Sequence, residues 1–461
     1  MDISLTKKHF HCIGIGGIGL SAIAEILIKQ GHRVTGSDVK ETDISNRLKN
    51  LGAEVYIGHK GSQIGNCDMV IYTAAVSDDN PELIEAKAKN IPAISRAEML
   101  GILMKNYPYS IAISGTHGKT TTTSMVSLIL EDALMDPTIL VGGHLDEIGG
   151  NVKIGSSSYF VTEACEYVDS FLKLNPKIEI ILNIDSDHLD YFKDIEHIVS
   201  SFQKFTEAVP ENGFIVAYSG NAFVKSVINQ VKCDVITFGF DSSCDYYAAN
   251  IKFNADGMPK FDVFYGGGRL CTIQLSIPGE HNINNSLAAI ACCHTLGVTP
   301  ESISKTLERF EGTKRRFDII GIIQDTIKII DDYAHHPEEI KATLKACINV
   351  PHNKLWCIFQ PHTYTRTKAL FEEFINAFDL ADEVIITDIY AAREKNVYQI
   401  SALDLVNEIK KKKPEKHVRY ISDFEDIAEF IIESVGERDL VITMGAGDIY
   451  KAAELIIEKS K

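Results

Sequence analysis

The 461-residue chain predicts an α/β fold of three domains, each built on a mainly parallel sheet. Three observations carry that prediction. Apolar runs of strand length alternate with helical stretches along the chain, the pattern of βαβ units. Two strand-to-helix junctions are glycine turns, Gly14 to Gly19 and Gly115 to Gly118. A prior of ~150 residues per domain makes the length too great for a single core. The expected domains are 1–107, 108–313 and 314–461.

Composition narrows the class. A hydrophobic content of 45% and a charged content of 24% are those of a globular protein. A net charge of −17 argues against a nucleic-acid-coating role, which needs a basic face, but allows a nucleotide substrate in a local positive pocket. The ten cysteines lack paired metal-type spacing and read as free thiols in a reducing compartment. Neither a cleavable leader nor a bilayer-length apolar run is evident, so the expectation is a soluble, cytoplasmic protein without membrane partners.

In the first domain, His9 to Ile15 reads as a strand. Gly14, Gly16 and Gly19 then give G-x-G-x-x-G, with Gly17 and Ile18 inside the turn, opening a helix from Leu20 to Gln30. A second strand, Arg33 to Ser37, ends at Asp38, near the ~20-residue offset at which an acid meets a ribose hydroxyl. Met69 to Tyr72 is a further strand, followed by Thr73 and Ala74, and Pro81 starts a helix. This is a Rossmann-like pattern. It suggests NAD, yet a triphosphate site lies downstream that simple hydride transfer does not need. The same turn can hold any diphosphate, including that of a UDP-sugar.

The second domain is organised around Ser110 to Thr123, SIAISGTHGKTTTT. An apolar strand over Ile111 to Ile113, a turn at Gly115 and Gly118, and a helix through Ser124 to Leu130 converge free backbone N–H groups on one point. Lys119 adds charge where phosphates would lie, and the Thr120 hydroxyl can ligate Mg²⁺. Ile113 stands where the longer phosphate loop has glycine, so this is a short G-x-x-G-K-T version. Strands near Ile139 to Val141, at Tyr159 to Glu163 and at Lys177 to Ile184 follow. Their ends carry Glu163, Glu166, Asn183, Asp185, Asp187, His188 and Asp190, oxygen and imidazole donors suited to a Mg-nucleotide. Phe214 to Ile277 reads as a β-rich insertion with a glycine turn at Gly266 to Gly268. A helix from Asn284 to Leu296 has His281, Asn282 and Asn285 near its start, placed either to contact a nucleotide or to cap the helix.

The third domain opens on a basic break, EGTKRRF, in which Arg315 and Arg316 could reach phosphates across a cleft. Strands Ile327 to Ile330, Leu355 to Phe359, Val384 to Thr387 and Leu440 to Met444 end in polar clusters. These are DDYAHHP (Asp331 to Pro337), QPHTYTR (Gln360 to Arg366), Asp388 with Arg393, and Gly445 to Asp448. Helices are expected over Thr367 to Phe378 and Asp423 to Ser434.

With these residues in view, the chain resembles the bacterial Mur ligases, and among them the alanine-adding branch, over about His9 to Ile449. GIGGIGLSAIAE, GTHGKTTTT, DHLDYF, DDYAHHP and QPHTYTR are similar to the family's motifs, with Leu20 where methionine is usual. The resemblance implies ATP-dependent joining of L-alanine to the carboxylate of UDP-N-acetylmuramate through an acyl phosphate, by a monomer or homodimer. A tripeptide-recycling ligase is the nearest alternative. It implies a UDP-sugar site at Gly14, Gly16, Gly17, Ile18, Gly19, Asp38, Thr73 and Ala74. It implies an ATP site at Gly115, Thr116, His117, Gly118, Lys119, Thr120, Thr121, His281, Asn282, Asn285, Arg316, Asp331 and His335. His362 and Arg366 would receive alanine. Thr120, Glu163 (ahead of Glu166) and His188 would hold Mg²⁺, with Lys119, Glu163 and His188 closest to the chemistry.

Overall fold

A computed structural model describes residues 7–189, 191–254, 256–392 and 394–460; Asp190 and Arg393, both noted above, fall outside them. Three sheets organise the chain. The first, in the order β3-β2-β1-β4-β5, is wholly parallel. Its strands are β1 (His9–Ile13), β2 (Arg33–Asp38), β3 (Glu54–Ile57), β4 (Met69–Tyr72) and β5 (Ala93–Ser95).

The second sheet has ten strands, ordered β15-β14-β13-β12-β11-β10-β6-β9-β7-β8. In chain order they are β6 (Tyr109–Ser114), β7 (Thr138–Leu145), β8 (Gly150–Lys153), β9 (Tyr159–Glu163), β10 (Ile178–Ile181), β11 (Phe214–Tyr218), β12 (Asp234–Gly239), β13 (Tyr246–Phe253), β14 (Pro259–Tyr265) and β15 (Gly268–Gln274). The central strand β6 is buried on both faces, as a parallel strand covered by helices must be. Ile111 and Ile113 pack with helices Lys119–Asp132 and Glu280–Thr295, while Ala112 faces the side of helix Ile195–Thr206. Each large apolar side chain buried this way is worth roughly 1.5–3 kcal/mol.

The third sheet, β16-β17-β21-β18-β19-β20, is parallel except for its first pair. Its strands are β16 (Asp318–Ile323), β17 (Ile327–Asp332), β18 (Leu355–Phe359), β19 (Glu383–Ile386), β20 (His417–Tyr420) and β21 (Leu440–Met444). All ten cysteines are free. Among the described residues, no helix is long and apolar enough to cross a membrane.

Two sequence expectations are corrected here. The stretch from Phe214 to Ile277 is not an insertion: β11 and β12 continue the central sheet in parallel, and β13 to β15 extend its edge as an antiparallel meander. The single helix expected over Thr367 to Phe378 is two short ones, Tyr364–Ala369 and Phe371–Ile375, joined at Leu370, whose φ of −106° leaves the helical range.

Candidate active site

The phosphate-type loop is held from below by the segment after β10. Thr116 N donates to the Asn183 carbonyl (3.1 Å), and His117 N donates to Asn183 Oδ1 (2.8 Å). Asn183 Nδ2 returns a bond to the His117 carbonyl (3.1 Å), and Asp185 N donates to Thr116 Oγ1 (2.9 Å). Gly118 caps the helix with φ +85°, and a Cβ there would lie 2.6 Å from Asn285 Oδ1, so only glycine fits. Asn183 thus fixes the loop through Thr116 N and His117 N, and the donors that face an anion are those of the helix N-terminus that opens at Gly118 and Lys119.

Lys119 leaves that helix and turns back under the loop. Its Nζ donates to the carbonyls of Gly115 and Thr116 and to Glu166, at 2.9 Å from Oε2. Burial disfavours the Lys119 charge, but the Glu166 carboxylate outweighs it and holds the ammonium above its ordinary pKa. Glu166 also lies 3.9 Å from His188 Nε2, so it stands between the lysine and the histidine. His188 has a φ of +53°, a strained value for a side chain with a Cβ.

Glu163 ends β9 next to β6, and its Oε1 accepts from Gly142 N (2.6 Å). A Cβ at Gly142 would lie 2.7 Å from both Glu163 oxygens, and one at Gly143 would lie 3.3 Å from the Thr120 methyl. Two glycines thus keep a recess open beside the carboxylate and the threonine. A hydroxyl and a carboxylate with a spare oxygen, facing this recess, are hard oxygen donors that fit Mg²⁺.

One cavity borders the loop and a second borders His188. The first, about 290 Å³, lies between the second and third domains. His117, Gly118, Thr121, His281, Asn282, Asn285 and Arg316 line it, as does Asp332. Burial lowers the His281 pKa to about 4, so this imidazole is neutral. Asp331 does not line the cavity: it is fully buried against Arg315 Nε (3.0 Å) and Thr443 Oγ1 (2.7 Å). Arg315 also donates to the carbonyls of Gly445 and Gly447, so it braces the C-terminal glycine turn, while Arg316 faces the cavity. His335 lies just outside, its Nδ1 3.0 Å from the Tyr333 carbonyl and its ring beside that of His362.

The second cavity, about 360 Å³, is lined by Asp187, His188, Leu189, His362, Arg366 and Ala392 among others. Arg366 donates to Asp187 through Nη2 (2.9 Å) and Nε (3.2 Å) and approaches His362 Nδ1 (3.2 Å). Burial would raise the Asp187 pKa, yet the Arg366 guanidinium holds it well below the usual carboxylate range. Burial and the same guanidinium push the His362 pKa down to about 4.

The N-terminal loop stands apart from both cavities. Gly14 N and Ile15 N donate to the Ser37 carbonyl, and Gly16 N donates to Asp38 Oδ2 (2.8 Å). Gly14 adopts φ +84° against Thr73, and Ile18 is half exposed at the turn with Gly17 beside it. Ala75 N donates to Thr73 Oγ1 (3.3 Å), which places Thr73 and Ala74 in a tight turn after β4.

Sequence reasoning missed Arg96, Glu339 and Asp332. Arg96 Nη1 would lie 3.0 Å from a Cβ at Gly19, a guanidinium beside the first glycine loop. Glu339 Oε1 pairs with His117 Nδ1 (3.1 Å) across the interdomain seam. The outward alternation of β17 was the available signal for Asp332; no local signal marked the other two.

Three family profiles match successive stretches of the chain. The profile "Mur ligase family, catalytic domain" matches residues 9–108, "Mur ligase middle domain" matches 113–293, and "Mur ligase, glutamate ligase domain" matches 315–447. The chain is similar to the UDP-N-acetylmuramate–L-alanine ligase of Alkaliphilus metalliredigens, 53% identical over 98% of this chain and 97% of the relative. It is 49% identical to that of Caldanaerobacter subterraneus over the full length of both. Among solved structures it resembles the UDP-N-acetylmuramate-alanine ligase of Thermotoga maritima (30% identity, 98% and 99% of the two chains, TM-score 0.82). A murein peptide ligase of Psychrobacter arcticus is more distant (25% identity, 98% of this chain, TM-score 0.72). Three matching profiles and these full-length relatives establish that the chain belongs to the Mur ligase family.

Proposed function

We propose that this chain is an ATP-dependent carboxylate–amine ligase that joins L-alanine to the carboxylate of UDP-N-acetylmuramate, with release of ADP and phosphate. This is a cytoplasmic step of peptidoglycan precursor synthesis. The observation that carries the reading is that Glu166 contacts Lys119 of the phosphate loop on one side and nears His188, which lines the second cavity, on the other. A transferring phosphoryl group and an amine binding beside Arg366 would face each other there.

A carboxylate accepts an amine poorly because its leaving group would be an oxide, so ATP first converts it to an acyl phosphate. Both reactants of that step are anionic, and the site must supply positive charge. Lys119 and the loop N–H groups would hold the terminal phosphates, exchanging the carbonyl and Glu166 contacts seen here. Thr120, Glu163 and His188 would hold Mg²⁺, which neutralises phosphate charge when bound. His281, Asn282, Asn285 and Arg316 would enclose the nucleotide, with Asp331 and His335 supporting that wall from behind. The alanine carboxylate would take the place of Asp187 on Arg366, a guanidinium fork suited to it, next to His362. Gly14 to Gly19, Asp38, Thr73 and Ala74 would anchor the UDP end in domain 1–107, across the cleft from domains 108–313 and 314–461, so that the reacting carboxylate is held in place.

A coupled ADP-release assay with UDP-N-acetylmuramate tests the reading. L-Alanine is expected to support turnover and the muropeptide tripeptide is not; the reverse preference would assign the chain to the recycling ligases.

A further inference from the structure

A second cluster of donors, made of residues other than Thr120, Glu163 and His188, lies on the seam between the middle and C-terminal domains. Ligand atoms of His117, Asp185 and His336 all lie within 4.8 Å of one another. His117 belongs to the phosphate loop, Asp185 to the segment after β10, and His336 to the N-cap of helix Pro337–Ile348.

The His117 ring is already arranged as a metal ligand. Its Nδ1 is 3.1 Å from Glu339 Oε1, the carboxylate–histidine pairing that fixes ring orientation and leaves the other nitrogen for a metal. That other nitrogen, Nε2, is shut off from solvent and has no hydrogen-bond partner among the described residues. It points toward Asp185 Oδ2 at 3.6 Å. Two ligands ~2.1 Å from a tetrahedral zinc are about 3.4 Å apart, so this pair stands close to coordination distance. The His336 ring packs against that of His117, centroids 5.1 Å apart. To complete the set through Nδ1, His336 gives up the bond from Glu338 N (3.3 Å) and keeps its Nε2–H on the Ser186 carbonyl (2.9 Å).

We propose that His117, Asp185 and His336 form a binding site for a borderline divalent ion of the Zn²⁺ class, joining the phosphate loop to the C-terminal domain. Two imidazoles and one carboxylate favour zinc over the hard, oxygen-seeking Mg²⁺. A fourth position is left for water or a phosphate oxygen. The site stands on these side chains alone and does not depend on which amine the enzyme uses.

Zn²⁺ binding to the full chain, measured by equilibrium dialysis in excess Mg²⁺, tests the assignment. One tightly held Zn²⁺ per chain is expected. His336→Gln and Asp185→Asn should each weaken it at least ~10-fold and Glu339→Gln by about 10–100-fold, while Glu163→Gln leaves it unchanged. Wild-type affinity in both His336→Gln and Asp185→Asn, or loss in Glu163→Gln alone, would overturn the assignment. Proton NMR of the Co²⁺-loaded wild-type chain needs no variant to fold. Shifted ring N–H signals from two histidines would support the site, and their absence would refute it. Zn²⁺ should also slow backbone hydrogen exchange at both the loop and the start of helix Pro337–Ile348; no change at either would contradict the interdomain bridge.

Discussion

The two glycine turns have similar sequence geometry but different surroundings. The first, Gly14 to Gly19, has an acid on its donors: Asp38 Oδ2 accepts from Gly16 N, and the nearby cation, Arg96, comes from a separate helix. The second, Gly115 to Gly118, carries its own cation, and Lys119 is folded under it against Glu166. An acid beside a turn suits a neutral ribose edge and passive anchoring. A lysine within the turn suits a phosphoryl group whose charge must be managed during transfer. A glycine turn by itself therefore says little about chemistry, and the charged side chain that faces its N–H groups says much more.

The comparison predicts unequal damage. Lys119→Ala should reduce ADP release about a thousand-fold or more if Lys119 is, as proposed, the cation that faces the transferring phosphoryl group; turnover close to wild type would erase the distinction between the turns. Arg366→Ala should raise the KM for alanine by about 10–100-fold, the cost of one charge-assisted contact, measured by varying alanine at saturating ATP. Asp38→Ala should raise the KM for the UDP-sugar about tenfold and lower kcat less, the mark of an anchoring loss. An equal fall in kcat would mean that the first turn also takes part in transfer. Gly118→Ala should cost roughly 1–2 kcal/mol in loop strain, seen as a lower melting temperature with weakened ATP binding.

The strand beneath the second turn, β10, carries a buried acid. Glu179 on β10 is fully buried, accepts from Ser114 Oγ (2.7 Å), and has a pKa pushed up by burial from 4.5 to about 8. The folded state then keeps a proton that the unfolded state has lost. Stability should fall as pH rises from 4.5 toward 8 and level off above that. Glu179→Gln should flatten this slope, a gain on the order of a few kcal/mol at the alkaline end, measured by denaturant unfolding against pH.

Much of the fold was legible because its signals are local. Strand, glycine turn and helix follow one another at Gly14 and Gly115, and apolar runs such as Leu355 to Phe359 and Leu440 to Met444 match β18 and β21 residue for residue. What escaped depends on partners distant in sequence. Alternation in Tyr246 to Gln274 announces strands without saying that they join the edge of the central sheet. Nothing like proline or glycine marks the break at Leu370. Asp331 and Asp332 point to opposite faces of β17, and a one-residue choice decides which reaches the cavity. Arg366 was readable as a candidate for binding a carboxylate, but the carboxylate it holds here, Asp187, lies in another domain.

The central claim is that the sugar carboxylate attacks the terminal phosphate of ATP at the second turn. Turnover with UDP-N-acetylmuramate carrying ¹⁸O at both carboxylate oxygens tests it most directly, with mass analysis of the products. The account predicts one ¹⁸O atom in each inorganic phosphate released. Unlabelled phosphate alongside normal product formation would contradict it.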